Sequence, residues 1–217
     1  MPNNISLADF FTTHGRLNRY SKGQILYSPG DTRDNVMLIT KGLVKIYDID
    51  SFTNERTVSI FGPNHLLPLV WLLKHEKDVL FFYEAMTDTE TYVVDYHKVI
   101  EFIRTQPDLL MGLLDTLTKA YINQDARIFN LQRANIREKL EFALFYLAHR
   151  LGTIANNIAV IPVVITRSEI ANLAGSSRES ISRELNNITA AGLMWKKDGK
   201  TYIDLSKMKQ DFHKVYR

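Results

Sequence analysis

Cysteine is absent from this 217-residue chain. That excludes disulfides, cysteine nucleophiles, thiolate zinc sites and iron–sulfur clusters held by protein thiolates. Long apolar runs are missing too. The most apolar stretch, residues 66–73, is too short to span a bilayer and contains Pro68. No basic segment followed by an apolar one opens the chain, and neither a low-complexity stretch nor a disordered linker interrupts it. A cytoplasmic location with no membrane partner is the expectation.

What is present is ordinary for a globular protein: 45% hydrophobic and 24% charged residues. The net charge of +3 hides an asymmetry. Residues 133–217 carry 14 basic and 8 acidic side chains, while residues 1–132 carry 13 and 16. A basic half beside an acidic half points to nucleic acid as a partner of the C-terminal part alone.

The most informative stretch runs from Thr166 to Arg183. Thr166 and Glu169 have the spacing of a capping box, which starts one helix. Gly175 ends it, because glycine tolerates the left-handed conformation past a helix end. Ser176 and Glu179 fit a second capping box immediately after. Ile170, Ala171 and Ala174 give the first helix an apolar face, and Ile181, Leu185 and Ile188 give one to the second. Two short helices joined by a glycine turn predict a helix-turn-helix. The second helix would present Arg178, Glu179, Ser182 and Arg183, with Thr166, Arg167 and Ser177 beside them. Arginine pairs with guanine O6 and N7, and glutamate accepts from cytosine N4. A charged first turn is also found on ordinary solvated helices, so context decides. Here Gly192 ends the second helix, and residues 195–203 predict a hairpin around Asp198-Gly199. Such a hairpin is a wing, with Lys196, Lys197 and Lys200 at its tip to meet phosphates.

Upstream, residues 5–14 predict a short helix. Short β-type runs separated by turns follow: 24–27, 35–40, 43–47, 55–61, 79–83 and 91–94. The run 43–47 alternates apolar and polar residues, as a strand with one buried face should. Many short strands predict a sandwich or barrel. A helix over 97–103 precedes a long one beginning near Pro107. On it Leu110, Leu114, Leu117, Tyr121, Gln124, Ile128 and Leu131 recur at alternating spacings of four and three. That a/d seam fits a parallel two-stranded coil, or a stripe packed on the chain's own barrel. Gln124, its polar member, either fixes register or lies where the seam splays. A hinge at 133–135 leads to a helix with Ile136, Leu140, Leu144, Leu147 and Leu151 on one face, closed by Gly152. Residues 158–165 supply one or two further strands after a turn at Asn156-Asn157. The fold class is α+β, in three parts: a β-sandwich or barrel over 1–106, a long helix and hinge over 107–134 suited to dimerisation, and a winged helix-turn-helix over 135–217.

This order, with the turns at 22–31 and 36–47 and the motif at 166–183, resembles the CRP/FNR family of bacterial transcription regulators across nearly the whole chain. The resemblance implies that residues 1–106 form a sensor-like β-roll, a jelly roll of the cyclic-nucleotide-binding type, and that the chain is a homodimer on double-stranded DNA, reading a pseudo-palindrome with TGA-containing half-sites. Glu179 and Arg183 match the pair that reads the inner half-site. Arg178 matches the extra guanine reader of the cyclic-AMP receptor branch, and Ser182 a serine of the oxygen-sensing branch. RNA polymerase is the further partner implied, with Ala155–Asn157 and the loop 48–54 as candidates by position.

The sensor end departs from the family pattern. Cyclic-nucleotide binders there carry a Gly-Glu-Leu turn and an Arg-Ser pair around the phosphate. Aligned on Ala85, these fall at Pro68-Leu69-Val70 and Val79-Leu80, and the helix hydroxyl pair becomes Gln124-Asp125. A buried phosphate needs that arginine and those donors, so cyclic AMP is not expected to bind. An apolar sheath, with Leu67, Leu69, Trp71, Leu80 and Phe82 central to it, either fills the barrel or takes a small apolar effector. Haem through His65, His75 or His97 is a third option. A regulator that senses nothing and acts constitutively is another. A cupin-like enzyme is disfavoured, because His14, His65, His75 and His97 are scattered without a metal-binding spacing. No catalytic residue, cofactor or metal is expected.

Overall fold

The computed structural model describes residues 6–32, 34–51, 55–68, 78–132 and 135–208. Two compact units emerge: Met1–Asp48 with Val58–Thr118, and Ile49–Thr57 with Lys119–Arg217. The division falls inside the long helix rather than at its ends.

The first unit opens with helix α1 (Leu7–His14), capped by Ser6, whose hydroxyl accepts from the Asp9 amide. Strands β1 (Arg16–Tyr20), β2 (Ile25–Tyr27), β3 (Asn35–Lys41) and β4 (Val44–Ile49) follow. After them come β5 (Glu55–Phe61), β6 (Leu66–Leu67), β7 (Phe82–Ala85) and β8 (Thr89–Asp95). They form two antiparallel sheets, ordered β1-β8-β3-β6 and β2-β7-β4-β5. Successive side chains of a strand face opposite ways, and β3 uses both faces. Met37 and Ile39 join Val44, Ile46, Tyr83 and Ala85 in one apolar cluster. Val36 and Leu38 join Phe10 and Phe11 of α1 in another, with Val99 and Ile103 of helix α2 (Tyr96–Arg104). That is why 36–39 reads as an unbroken apolar run. Full burial of a side chain such as Phe11 contributes about 1.5–3 kcal/mol.

Two strand expectations are corrected, and strand β1 was not expected at all. Residues 79–81 lie outside β7; instead Val79 exchanges backbone hydrogen bonds with the Gly30–Asp31 turn and sends its side chain into the first cluster. The run 43–47 is buried on both faces. Lys45 sits 3.6 Å from Glu84 and 4.5 Å from the centre of the Tyr47 ring, which itself stacks on Phe82. β1 is a strand in spite of its polar sequence, because it pairs with β8 along its whole length. The turn between β3 and β4 requires Gly42, at φ +87°, where a Cβ would lie 2.5 Å from the Asp88 carbonyl.

Helix α3 (Pro107–Leu131) is continuous. Leu109 and Leu113 pack on the second cluster of the first unit, whereas the a/d seam lies on another stripe. In the second unit Arg127 of α3 donates to the Thr57 carbonyl of β5. Burial lowers the Arg127 guanidinium from its ordinary pKa, with Tyr146 acting the other way.

The rest of the second unit comprises α4 (Ile136–Leu151), β9 (Thr153–Ala155), β10 (Ile158–Ile161), α5 (Arg167–Ala174), α6 (Arg178–Ala190), β11 (Met194–Lys197) and β12 (Lys200–Asp204). The sheet order is β11-β12-β10-β9. α4 is buried on every side from Leu140 to Ala148, more than the one apolar face expected. Of the one or two strands expected within 158–165 there is one, β10; its hairpin partner β9 precedes the Asn156-Asn157 turn, where both residues take positive φ. Among the described residues no helix is long and apolar enough to cross a membrane.

Candidate nucleic-acid interface

α5 begins as its sequence requires. The Thr166 hydroxyl accepts from the Glu169 amide at 3.1 Å, and the Glu169 carboxylate accepts from the Thr166 amide at 2.6 Å. Gly175 ends the helix at φ +59°, and a Cβ there would stand 2.5 Å from Leu131 Cδ2 of α3. The turn therefore needs glycine twice, for its left-handed backbone and for the approach of the long helix. α6 starts one residue later than the second capping box implied. Ser177, not Ser176, is the N-cap, accepting from the Ser180 amide at 3.2 Å. Thr166 and Ser177, both expected at the DNA, thus spend hydroxyl acceptors on helix starts.

Ile181, Leu185 and Ile188 bury one face of α6. Arg178, Glu179, Arg183, Asn186 and Asn187 are exposed, and Ser182 is half-buried. Arg178 and Glu179 occupy the first turn, whose unpaired amides and dipole favour an anion such as phosphate. Arg167 does not project freely. Its Nη1 donates to Ser182 Oγ at 3.0 Å and its Nη2 to Asn186 Oδ1 at 2.9 Å. Asn186 was missed by sequence reasoning, although its position one turn beyond Ser182 places it on the same side.

The wing is the predicted hairpin, with Asp198 and Gly199 at positive φ in its two-residue turn. Lys197 and Lys200 face each other across its end and are exposed. Lys196 departs from the expected cluster: its Nζ donates to the Ile165 carbonyl at 2.8 Å, tying the strand to the segment before α5.

Behind α6 lies a network that no motif announced. Arg137 of α4 donates Nε to Glu141 Oε1 at 2.8 Å and Nη1 to Glu184 Oε1 at 3.1 Å on α6. Asn187 Nδ2 donates to the other oxygen of Glu184 at 3.0 Å. The bond to Glu141 first, and then the charge of both carboxylates, raise the Arg137 pKa against the effect of burial. The signal in the sequence was a single i,i+4 Arg–Glu pair, indistinguishable from a surface pair.

Six seam residues of α3 present apolar or polar surface to solvent in the single chain, or come close to it. Leu110, Leu114, Tyr121, Gln124, Ile128 and Leu131 are exposed, Tyr121 by 68% and Ile128 by 56%, and Leu117 is half-buried. The expected effector sheath does not converge among the described residues. Leu67 fills the first apolar cluster, Phe82 stacks on Tyr47 on the opposite sheet face, and Leu80 is 64% exposed. Leu69 and Trp71 lie outside the described residues, as do His75 and the hinge residues 133–134. His65 directs Nδ1 at the carbonyls of Gly62 and Pro63, at 3.1 Å each, and His97 packs edge-on against Tyr96. No group of three potential metal ligands occurs among the described residues.

Residues 17–106 match the cyclic nucleotide-binding domain family, and residues 138–210 the Crp-like helix-turn-helix domain family. The cAMP-activated global transcriptional regulator CRP of Salmonella typhimurium is 23% identical over 195 residues, covering 90% of this chain and 92% of that protein. The global nitrogen regulator of Synechococcus elongatus is 22% identical over 180 residues, covering 82% and 81%. Among solved structures, FixK2 from Bradyrhizobium japonicum superposes with a TM-score of 0.73 at 16% identity, covering 93% of this chain and 96% of that one. The c-di-GMP responsive regulator CLP of Xanthomonas campestris gives 0.72 at 19% identity, covering 90% and 97%.

Proposed function

This chain belongs to the CRP/FNR family of DNA-binding transcription regulators, and from that premise we propose that it works as a homodimer that reads a pseudo-palindrome with TGA-containing half-sites and does not respond to cyclic AMP. The observation that carries the reading is the start of α6. A capped, glycine-fixed turn presents Arg178, Glu179 and Arg183 to solvent from a helix whose other face is buried. Bidentate arginine and acceptor glutamate are the side chains that tell G·C from C·G in the major groove. The exposed stripe of α3 supports the dimer, since an apolar seam of that length is stable when a second copy covers it. Two-fold symmetry would set half-site centres about 34 Å apart. Lys197 and Lys200 at the wing end supply phosphate contacts. Double-stranded DNA, a second copy and RNA polymerase are the partners, in the cytoplasm.

Independence from cyclic AMP rests on Val79. At the position of the phosphate-binding arginine stands a valine whose side chain lies in the apolar cluster with Leu67 and Tyr83. A cyclic phosphate placed there would lose its hydration without gaining a cationic partner. Selection from a randomised duplex pool with the untreated protein tests the whole reading. Recovery of a pseudo-palindrome with TGA-type half-sites, at an affinity unchanged by cyclic AMP, is the expected result. A pool that stays random until cyclic AMP is added would overturn the sensor half of the proposal. One that stays random under both conditions would overturn the DNA-reading half.

A further inference from the structure

Apolar contact is non-directional, so the buried face of α6 does not by itself fix how far the helix is rolled about its axis. Directional bonds do that, and α6 has them on both flanks. Arg167 of α5 grips Ser182 and Asn186, which lie one turn apart on one side. Arg137 of α4 grips Glu184, which at 3.6 residues per turn lies roughly 200° around the helix from Ser182. The exposed arc between the two grips carries Glu179 and Arg183. A roll of about 10° moves a side-chain end at a radius of about 6 Å through roughly 1 Å, enough to spoil a bidentate hydrogen bond.

Arg137 is itself anchored from behind. Glu141, with 4% side-chain exposure, holds its Nε at 2.8 Å, while the second Glu141 oxygen is buried with no hydrogen-bond partner among the described residues. A buried carboxylate so incompletely satisfied is poor glue, since apolar residues of similar volume hold helices together as well or better. What it supplies is a fixed direction for the guanidinium.

We propose that Arg137 and Arg167 are positioning residues that set the roll of α6 and thereby the aim of Glu179 and Arg183 at the base edges. This rests on the DNA-reading function proposed above. A brace of this kind affects contacts to bases and not the summed attraction to phosphates, and that distinguishes it from a contribution to folding alone.

The test compares the full-length protein with Arg137→Gln, Glu184→Gln and the double variant on two duplexes, the selected site and a scrambled sequence, across a salt series. Each single substitution is expected to lower the preference for the selected site about tenfold, the lower range of what one misaligned bidentate base contact is worth. Affinity for the scrambled duplex and the salt slope stay as in the parent. The double variant is no worse than the worse single one, because both remove the same ion pair. Unchanged preference in both folded single variants, equal losses on both duplexes, or losses that multiply in the double variant would overturn the proposal. Should Arg137→Gln unfold because Glu141 is left buried and unpaired, Glu184→Gln decides alone, as it leaves the Arg137–Glu141 bond intact. A parent protein with no preferred site would sink the DNA-reading function itself, and this inference with it.

Discussion

Gly175→Ala tests two demands that meet at one atom. The backbone sits at φ +59° and ψ +41°, where a side chain costs about 1–2 kcal/mol. The new Cβ would also stand 2.5 Å from Leu131 Cδ2, so Leu131 must leave its rotamer, adding about 0.5–1.5 kcal/mol. The expected loss is about 1.5–3.5 kcal/mol. Leu131→Ala removes the collision and leaves the left-handed strain. In that background Gly175→Ala should therefore cost only about 1–2 kcal/mol. Urea unfolding followed by circular dichroism, on the parent, both single variants and the double variant, measures this from the midpoints at constant slope. Protein concentration is held equal, because the apparent stability of a dimer depends on it. Strict additivity would show that the end of α3 does not lie over the turn. A loss below about 0.5 kcal/mol for Gly175→Ala alone would show that the cap is not left-handed.

Leu114→Asp, placed mid-seam where the leucine is 44% exposed in the single chain, removes about half of the roughly 1.5–3 kcal/mol that full burial is worth from each copy and sets a carboxylate in the apolar seam at a further cost of about 1–3 kcal/mol. The dimer dissociation constant should rise at least about a hundredfold, as sedimentation would show; an unchanged dimer would rule out this seam. Arg183→Ala is expected to cost about 1–3 kcal/mol on the selected duplex and little on a scrambled one. Lys197→Ala and Lys200→Ala should each weaken both and lower the salt slope by about 1, so identical behaviour of the two classes would refute the division between readers and phosphate contacts. Burial raises the Tyr83 phenol from 10.0 to about 12, so on alkalinisation the unfolded chain loses that proton first. The stability it contributes is whole below about pH 10 and is lost by about pH 12, up to roughly 2–3 kcal/mol. Tyr83→Phe should flatten the decline in melts across that window, and a decline as steep as the parent's would exclude Tyr83 as its source.

Local signals carried most of the architecture. The capping box of α5, the glycine at its end, the Asp198-Gly199 hairpin and the bounds of α3 each follow from a few neighbouring residues, and each is where the sequence places it. Legibility failed where the deciding partner is distant. β1, Arg16–Tyr20, is polar and becomes a strand through pairing with β8. Lys45 reads as a solvent-facing residue and is buried because Glu84 and Tyr47 lie beside it. Lys196 looks like its neighbour Lys197 until the Ile165 carbonyl is brought within reach. The cap of α6 slipped by one residue because Ser176 and Ser177 both suit the position, and only the backbone geometry separates them. In the candidate site, the exposed readers on α6 could be named from helical periodicity. The bonds of Arg167 and Arg137 could not, since they join three different helices.

A reading helix needs affinity from its backbone contacts and selectivity from its aim, and these make different demands on the domain behind it. Ile181, Leu185 and Ile188 serve adhesion, which apolar surface supplies without regard to angle. Had adhesion been sufficient, leucine at positions 137, 141 and 184 would hold α6 to α4 at least as firmly as three charges, one of them a buried carboxylate. Charge in that place instead specifies an angle, because a guanidinium between two carboxylates has a fixed plane and a fixed reach. At the turn, Leu131 leaves no room for a side chain at position 175, where a Cβ would stand 2.5 Å from its Cδ2. On the proposed function, the side chains at positions 178, 179 and 183 are the ones offered to the bases. The proposed brace sets the angle at which they arrive from α4 and α5, at Arg137 and Arg167, of which only Arg167 falls within the motif at 166–183.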